Sequence, residues 1–148
     1  MIVYPSGQCQ ETTRAQHYAQ LGIGLLTGAA EIAWNQGVDL YGWNDNRILK
    51  GFEYTAKYGL GDEVPFQNYL DRTGKYGLGG RHQNYTEIST VSRGRFWPIF
   101  ERIQNHYTNR RNISAPYSSK VVKIKRPEVH SSDYVGHGTL THWRKPIK

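Results

Sequence analysis

The stretch that decides the fold runs from Leu21 to Trp34 and reads LGIGLLTGAAEIAW. Its apolar positions are nearly continuous, which indicates a helix buried on most of its sides rather than a helix with one narrow apolar stripe. Working outward from this stretch, we predict one long helix from about Glu11 to Trp34, which the sequence NQG at 35–37 then ends. A glycine inside a helix costs about 1 kcal/mol relative to alanine, so glycines here predict the close approach of a neighbouring helix. These glycines are Gly22, Gly24 and Gly28.

Two further helices follow from the spacing of apolar residues. The second is predicted after Asn44, as its N-cap, and reaches Tyr58 before Gly59. The third is predicted from Trp97 to Arg110. The apolar faces that we expect to be packed are Ile48, Leu49, Phe52, Ala56 and Tyr58 in the second helix, and Ile99, Phe100, Ile103 and Tyr107 in the third.

The remaining chain is predicted to be mostly irregular. Residues 59–95 are rich in Gly, Asn, Asp and Thr and are expected to form a long loop region, which in a compact domain usually has a function. The sequence KYGLG occurs twice, at 57–61 and 75–79, too few copies to indicate a repeat fold. Residues 121–124 predict one short strand, and residues 126–148 an irregular tail. The fold class is therefore predicted to be all-α, or mainly helical, with long loops.

Composition limits the classes of partner. Lys and Arg number 19 against 12 Asp and Glu, a formal charge of +7, so the chain should attract polyanions. No zinc finger or RNP-type strand is recognisable, and no stretch is long and apolar enough to cross a bilayer, so neither nucleic acid nor a membrane is expected as a partner. The single cysteine, Cys9, excludes an intramolecular disulfide framework. Residues 1–5 do not form a signal peptide, so we expect either a cytoplasmic protein or a missing natural N-terminus.

A group of polar residues precedes the apolar stretch. At helical spacing Gln10, Arg14 and His17 would share one face, with Glu11 one turn before Arg14. Such a face either lines a site or is a solvated first turn that holds a Glu11–Arg14 pair. Both interpretations stay open on the pattern alone.

Arg47 and Tyr54 lie seven residues apart in the second predicted helix, and therefore on one face. A tyrosine hydroxyl has a pKa of about 10 in its ordinary state, too high for a base at neutral pH. A nearby guanidinium would lower that pKa, so the two residues are a candidate proton-transfer pair, although the spacing is common by chance.

Several motifs together resemble the alginate-lyase-type polysaccharide lyase family. GQCQE at 7–11, followed by Arg14, His17 and the dipeptide LG at 21–22, resembles a central helix of that family, and EIAWNQGVDLY at 31–41 continues the resemblance. NR at 46–47 and GFEYT at 51–55 resemble its following helix. Shorter similarities are RGR at 93–95, PIFE at 98–101, RPE at 126–128 and GTL at 138–140.

The resemblance implies a single domain over residues 1–148, a partial (α/α) toroid that lacks the N-terminal helices of the family. It implies β-elimination on an acidic polysaccharide, alginate or a related polyuronide, without a cofactor or metal. It also implies that the full-length protein is secreted or periplasmic. By position, Tyr54 is similar to the catalytic tyrosine, Arg47 to the arginine that tunes it, and His17 to a histidine that acts as base or carboxylate-neutralising donor. The substrate-binding residues that the resemblance implies are Gln10, Glu11 and Arg14.

This sequence departs from the family pattern in one place and leaves one alternative. Family members carry paired asparagines before the histidine helix, where this chain has Gln10 and Glu11. Because the chain is expected to lack the N-terminal helices of the family, a non-catalytic glycan-binding protein or a truncated remnant of a lyase is the alternative to an active enzyme. The tail histidines at 130, 137 and 142 match no metal-ligand spacing, and Cys9 is expected to be a half-buried residue beside the site.

Overall fold

The computed structural model describes residues 2–72 and 83–143. In chain order it contains a 3₁₀ turn (Gln10–Thr13), α1 (Gln16–Asn35), α2 (Trp43–Gly59), β1 (Tyr69–Asp71), β2 (Gln83–Tyr85), α3 (Phe100–Ile103) continued by a π-helix (Gln104–Arg110), α4 (Pro116–Lys125) and α5 (Gly138–Thr141). This confirms a mainly helical fold with one small sheet, an antiparallel pair in which Tyr69 faces Tyr85. A toroid is not established by these elements and stays a prediction. None of the helices in the described part of the chain is long and apolar enough to cross a membrane.

The first predicted helix is two elements rather than one. The 3₁₀ turn ends at Arg14, whose backbone is extended, and α1 starts after Ala15. The single helical face predicted for Gln10, Arg14 and His17 is therefore interrupted, and this part of the prediction was wrong.

The expected burial of α1 on most sides is also corrected. Ile23 and Ala30 are fully buried, but Leu25 and Ile32 are 60% and 68% exposed. The glycines do not all face a helix, since a Cβ on Gly24 would lie within 3 Å of the ring of Tyr134, from the C-terminal segment. The small residue thus lets an aromatic side chain, not a helix, reach the backbone of α1.

The second helix begins with an unusual turn. Asn44, Asp45 and Asn46 all have left-handed backbone angles, with φ between 51° and 57°, so the right-handed part starts at Arg47. Asn44 makes no side-chain cap, contrary to the prediction. Asn and Asp are the side chains that tolerate this region best after glycine, which explains how three such residues can make the turn.

The apolar core lies where α1, α2, α3 and α4 meet. Phe52 of α2 and Phe100 of α3 are fully buried, with ring centroids 5.3 Å apart at 83°. Ile103 and Tyr107 continue the buried face predicted for the third helix, although this helix begins three residues later than predicted and is π-helical after Ile103. The Tyr107 hydroxyl donates to the carbonyl of Tyr41 at 2.8 Å, so this buried hydroxyl has a hydrogen-bond partner.

The strand predicted at residues 121–124 is wrong, because these residues belong to α4. Pro116 occupies the first turn of that helix, and the Glu53 carboxylate accepts the backbone N–H groups of Tyr117 and Ser118 at 2.9 and 2.8 Å. These contacts satisfy two of the free N–H groups at the helix start. Tertiary capping therefore overrides the β preference of the Val121-Val122 pair. The second KYGLG copy lies outside the described residues.

Candidate functional site

The N-terminal segment packs directly on α2, around Tyr54. Gly7 has φ +94°, and a Cβ there would lie 2.2 Å from the Lys50 carbonyl and 2.8 Å from the Tyr54 Cβ. Only glycine permits this approach. The next residues, Gln8 and Cys9, are fully buried, with Cys9 close enough to Tyr54 to influence its titration. The Cys9 thiol is thus buried, not half-buried as expected.

Tyr54 is 5% exposed, and its hydroxyl donates a hydrogen bond of 2.8 Å to the carbonyl of Pro65. Burial is the main cause that raises the pKa of Tyr54, and the neighbouring Cys9 adds to it. The direction is opposite to the lowering predicted from a nearby guanidinium. The side chain is therefore a neutral phenol at physiological pH, and it carries a proton rather than being ready to take one.

Arg47 and Tyr54 line different hollows of the structure. The Arg47 guanidinium donates to the Val3 carbonyl at 2.9 Å, and its buried Nε has no partner among the described residues. Arg47 lines an apolar hollow with Leu40 and Trp43, whereas Tyr54 faces Pro65. Arg47 thus anchors the N-terminal segment to α2 in this structure.

Glu11 and Arg14 form the pair predicted between them, with Nη1 of Arg14 3.0 Å from Oε2 of Glu11. The same guanidinium lies 3.5 Å from the ring centroid of Tyr18. Gln10 lies at the other side of the turn, where its Oε1 accepts the backbone N–H of Ile2 at 3.0 Å. The three residues are close in space but each has a partner within the chain.

His17 lies in the first turn of α1, stacked against aromatic rings. Its ring centroid is 4.2 Å from that of Tyr18 and 5.8 Å from that of Trp97. Its Nδ1 is 3.4 Å from the Ser92 hydroxyl, a long contact for a hydrogen bond. Because Arg14 also covers Tyr18, the polar turn and His17 form one continuous surface.

Three buried glutamines, which the sequence analysis did not single out, attach the long loop region to this surface. Gln8 exchanges two hydrogen bonds with the backbone of Gln67, at 2.8 and 2.6 Å. Gln16 donates to the carbonyl of Ser89, and Gln20 donates to the carbonyl of Arg95. The i, i+4 spacing of Gln16 and Gln20 on an otherwise apolar helix was the signal that could have revealed them. The described parts of the loop region around Gln67, Ser89 and Arg95 are therefore held against the N-terminal segment and α1.

Tyr54 lines an open hollow of about 270 Å³ between α2, α4 and the loop. Two lysines of α2, Lys50 and Lys57, stand on either side of Tyr54 at i−4 and i+3. The other lining residues are Ser6, Glu53, Val64, Pro65 and Tyr117. This arrangement offers a proton donor, two cations and an aromatic ring, a set suited to an acidic sugar.

Comparison with known proteins gives one match. Residues 5–66 match the model of the family described as alginate lyase. The resemblance to the alginate-lyase-type family is thereby confirmed for this stretch. No curated protein and no solved structure gave a significant match.

The alginate lyase match includes every candidate site residue, from Gln10 to Tyr54, together with Lys50 and Lys57. At the level of the family it supports a polysaccharide lyase with a polysaccharide substrate. The shorter similarities at 93–101, 126–128 and 138–140 lie outside the matched stretch.

Three of the four similarities outside the match, at 98–101, 126–128 and 138–140, meet around two buried glutamates. Glu101 is fully buried and accepts two hydrogen bonds from Arg126, at 2.6 and 2.9 Å, and one from the Thr139 hydroxyl at 2.8 Å. Glu128, 3% exposed, accepts the backbone N–H groups of Phe100 and Glu101. Burial raises the pKa of Glu128 to about 7. This cluster holds the C-terminal segment against α3.

One of the tail histidines, His142, contacts α3. Arg102 donates to Nε2 of His142 at 3.1 Å. Within the parts of the chain that the structure describes, no three His, Cys, Asp or Glu side chains are grouped as a metal site would require.

Proposed function

We propose that this protein is a polysaccharide lyase that cleaves uronic-acid-containing glycans, alginate or a related polyuronide, by β-elimination. The observation that carries the proposal is that the stretch matching the alginate lyase family contains Tyr54, His17 and Arg47 together. The hollow beside Tyr54, lined by two lysines, supports an acidic substrate. This function implies a secreted or periplasmic location for the full-length protein.

In the proposed reaction the substrate loses a proton from C5, and the leaving O4 gains a proton. A base removes the proton on C5 of a uronate. The electron pair of the broken C5–H bond then forms the C4–C5 double bond. The C4–O4 bond breaks, and the leaving O4 receives a proton. We assign that proton to the Tyr54 hydroxyl, because burial keeps it protonated at neutral pH.

His17 is proposed as the base or as the donor that neutralises the substrate carboxylate. Neutralisation matters because an ionised carboxylate makes the neighbouring C5 hydrogen much less acidic. Gln10, Glu11 and Arg14 form the adjoining substrate-binding turn in this proposal, and a uronate carboxylate would replace Glu11 as the partner of the Arg14 guanidinium. Glu11 would take part only when protonated, since two bare carboxylates repel.

Arg47 is proposed to hold Tyr54 in place rather than to change its pKa. Its bond to the Val3 carbonyl holds the N-terminal segment, and Gly7 of that segment packs against the Cβ of Tyr54. The residue is therefore a positioning residue rather than the source of a lowered tyrosine pKa.

One observation favours the second candidate, a glycan-binding protein without turnover. The Tyr54 hydroxyl is engaged with the Pro65 carbonyl, so the loop that carries Pro65 must yield before the hydroxyl reaches a substrate. In a binding protein this bond would simply persist.

A spectrophotometric assay separates the two candidates. Alginate, glucuronan and other uronic-acid polymers are incubated with the protein, and the ultraviolet absorbance of unsaturated uronide ends is followed. We expect a rise with at least one polymer, and its loss by at least about a hundredfold in Tyr54→Phe, because the proton donor is absent. Tyr58→Phe, one turn further along α2 and outside the hollow, is the matched control and should keep its activity. No rise from the folded wild-type protein would contradict the lyase proposal and favour the binding protein.

A further inference from the structure

We propose that Lys50, Lys57 and the ring of Tyr117 form a subsite for uronate units on both sides of the bond placed at Tyr54. The subsite rests on the proposed function, whose substrate class it deepens. Its residues come from α2 and from the start of α4, and Tyr117 lies outside the stretch that matches the alginate lyase family.

The two lysines are placed to follow a polymer. Seven residues of α-helix span about 10 Å at 1.5 Å per residue, so Lys50 and Lys57 are separated along α2 with Tyr54 between them. All three line the same hollow. A sugar chain laid along α2 would present successive carboxylates to two cations while one glycosidic bond lies near the Tyr54 hydroxyl.

Within the described part of the chain, one lysine has no ion pair, and the other has only an exposed one that a ligand carboxylate can replace. Lys57 has no carboxylate within 4 Å among the residues that the structure describes, and its Nζ lies 5.7 Å from the ring centroid of Tyr117. Lys50 pairs with Asp45, whose side chain is 79% exposed. Such surface pairs are weak, so a substrate carboxylate can replace Asp45.

The acid in the hollow does not compete for the lysines. Both oxygens of Glu53 are engaged, since they accept the N–H groups of Tyr117 and Ser118 at the start of α4. The hollow is therefore lined by two lysine cations and one carboxylate, and the carboxylate of Glu53 fixes the position of Tyr117.

Tyr117 supplies a ring on which a sugar can lie. Lys57 and Lys120 approach this ring, with Nζ 5.7 and 5.0 Å from its centroid. An aromatic face carries the apolar side of a sugar ring, and the adjacent ammonium groups orient the carboxylate of the same unit. The combination selects acidic sugars over neutral ones.

The test measures binding apart from turnover. An oligouronate and its carboxyl-reduced, neutral counterpart are titrated by calorimetry into Tyr54→Phe, and KM is measured in the wild-type background. Lys57→Gln should weaken oligouronate binding about fivefold and Lys50→Gln/Lys57→Gln about twentyfold, with little change for the neutral sugar. Tyr117→Ala should weaken both ligands. Lys123→Gln, an exposed lysine of α4 outside the hollow, is the matched control and should change neither.

The outcomes distinguish the two proposals. Turnover by the wild type, with equal oligouronate affinity in Lys57→Gln and Lys123→Gln, overturns the subsite alone. Lysine-dependent binding without turnover by the wild type overturns the lyase and keeps the subsite. An equal loss of affinity for acidic and neutral sugars in Lys57→Gln also overturns the subsite, because the lysine would not then be reading a carboxylate.

Discussion

At the scale of single residues, burial decides the chemistry around Tyr54. Burial raises the pKa of the Tyr54 hydroxyl and raises the pKa of the Cys9 thiol to about 12. Spacing alone predicted that Tyr54 would share a face with Arg47, but it did not predict that Arg47 would bind the Val3 carbonyl. A sequence shows which side chains lie on a helix face, whereas partners from distant segments become visible only in the fold.

Cys9 gives a direct test of this buried environment. A thiol reacts as the thiolate, and at pH 8 a pKa of about 12 leaves a negligible thiolate fraction. We expect the native protein to react with an aromatic disulfide reagent at least about a hundredfold more slowly than the protein unfolded in guanidinium chloride. Equal rates in the two states would show that the N-terminal segment does not pack on α2 as described.

At the scale of elements, α2 and the C-terminal segment show which parts of the structure could be predicted from the sequence and which could not. The buried residues of α2, from Leu49 to Tyr58, follow the predicted apolar spacing. The helical state of residues 121–124 could not be predicted because the Glu53 carboxylate that caps α4 comes from another helix. The hydrogen bonds between Glu128 and the start of α3 could likewise not be predicted, although the two similarities that form them were identified separately.

Glu128 should make stability depend on pH. It is an acid whose pKa is raised on folding, from about 4.5 to about 7, mainly by burial. Its favourable contribution is therefore complete below about pH 4.5 and is lost as the pH rises through about 7. At about 1.4 kcal/mol per pKa unit, the loss is on the order of 3 kcal/mol.

Urea unfolding of the wild type and Glu128→Gln at several pH values measures this effect. The difference between the two isolates Glu128 from His106, whose pKa is lowered to about 4 by burial and which acts in the opposite direction. Glu101, Arg102 and Arg126 lie near Glu128. The ion pair between Glu101 and Arg126 lowers the pKa of Glu101 and raises that of Arg126, so this pair stays charged across the range. We expect the advantage of the wild type to shrink between pH 5 and 8, whereas a constant difference would contradict a neutral Glu128 in the fold.

At the scale of the whole molecule, the predicted mainly helical class is confirmed, whereas the arrangement of the elements was not predicted. Three predicted helices are present within the described residues, and a fourth, α4, replaces the predicted strand. Gln67, Ser89 and Arg95 of the predicted loop region are held by Gln8, Gln16 and Gln20, contacts between residues far apart in sequence that spacing could not predict. The alginate lyase match covers the polar turn, His17 and Tyr54, whereas Tyr117, which also lines the hollow of Tyr54, lies outside it.

The most direct test of the central claim is the mass of the fragments that the protein releases from a defined oligouronate. Elimination adds no water, so the account predicts fragments whose new non-reducing ends are unsaturated and one water lighter than hydrolysis products. These fragments should be absent with Tyr54→Phe. Saturated fragments that contain an added water, or an intact oligouronate after incubation with the folded wild-type protein, would contradict the assignment of a β-eliminating lyase.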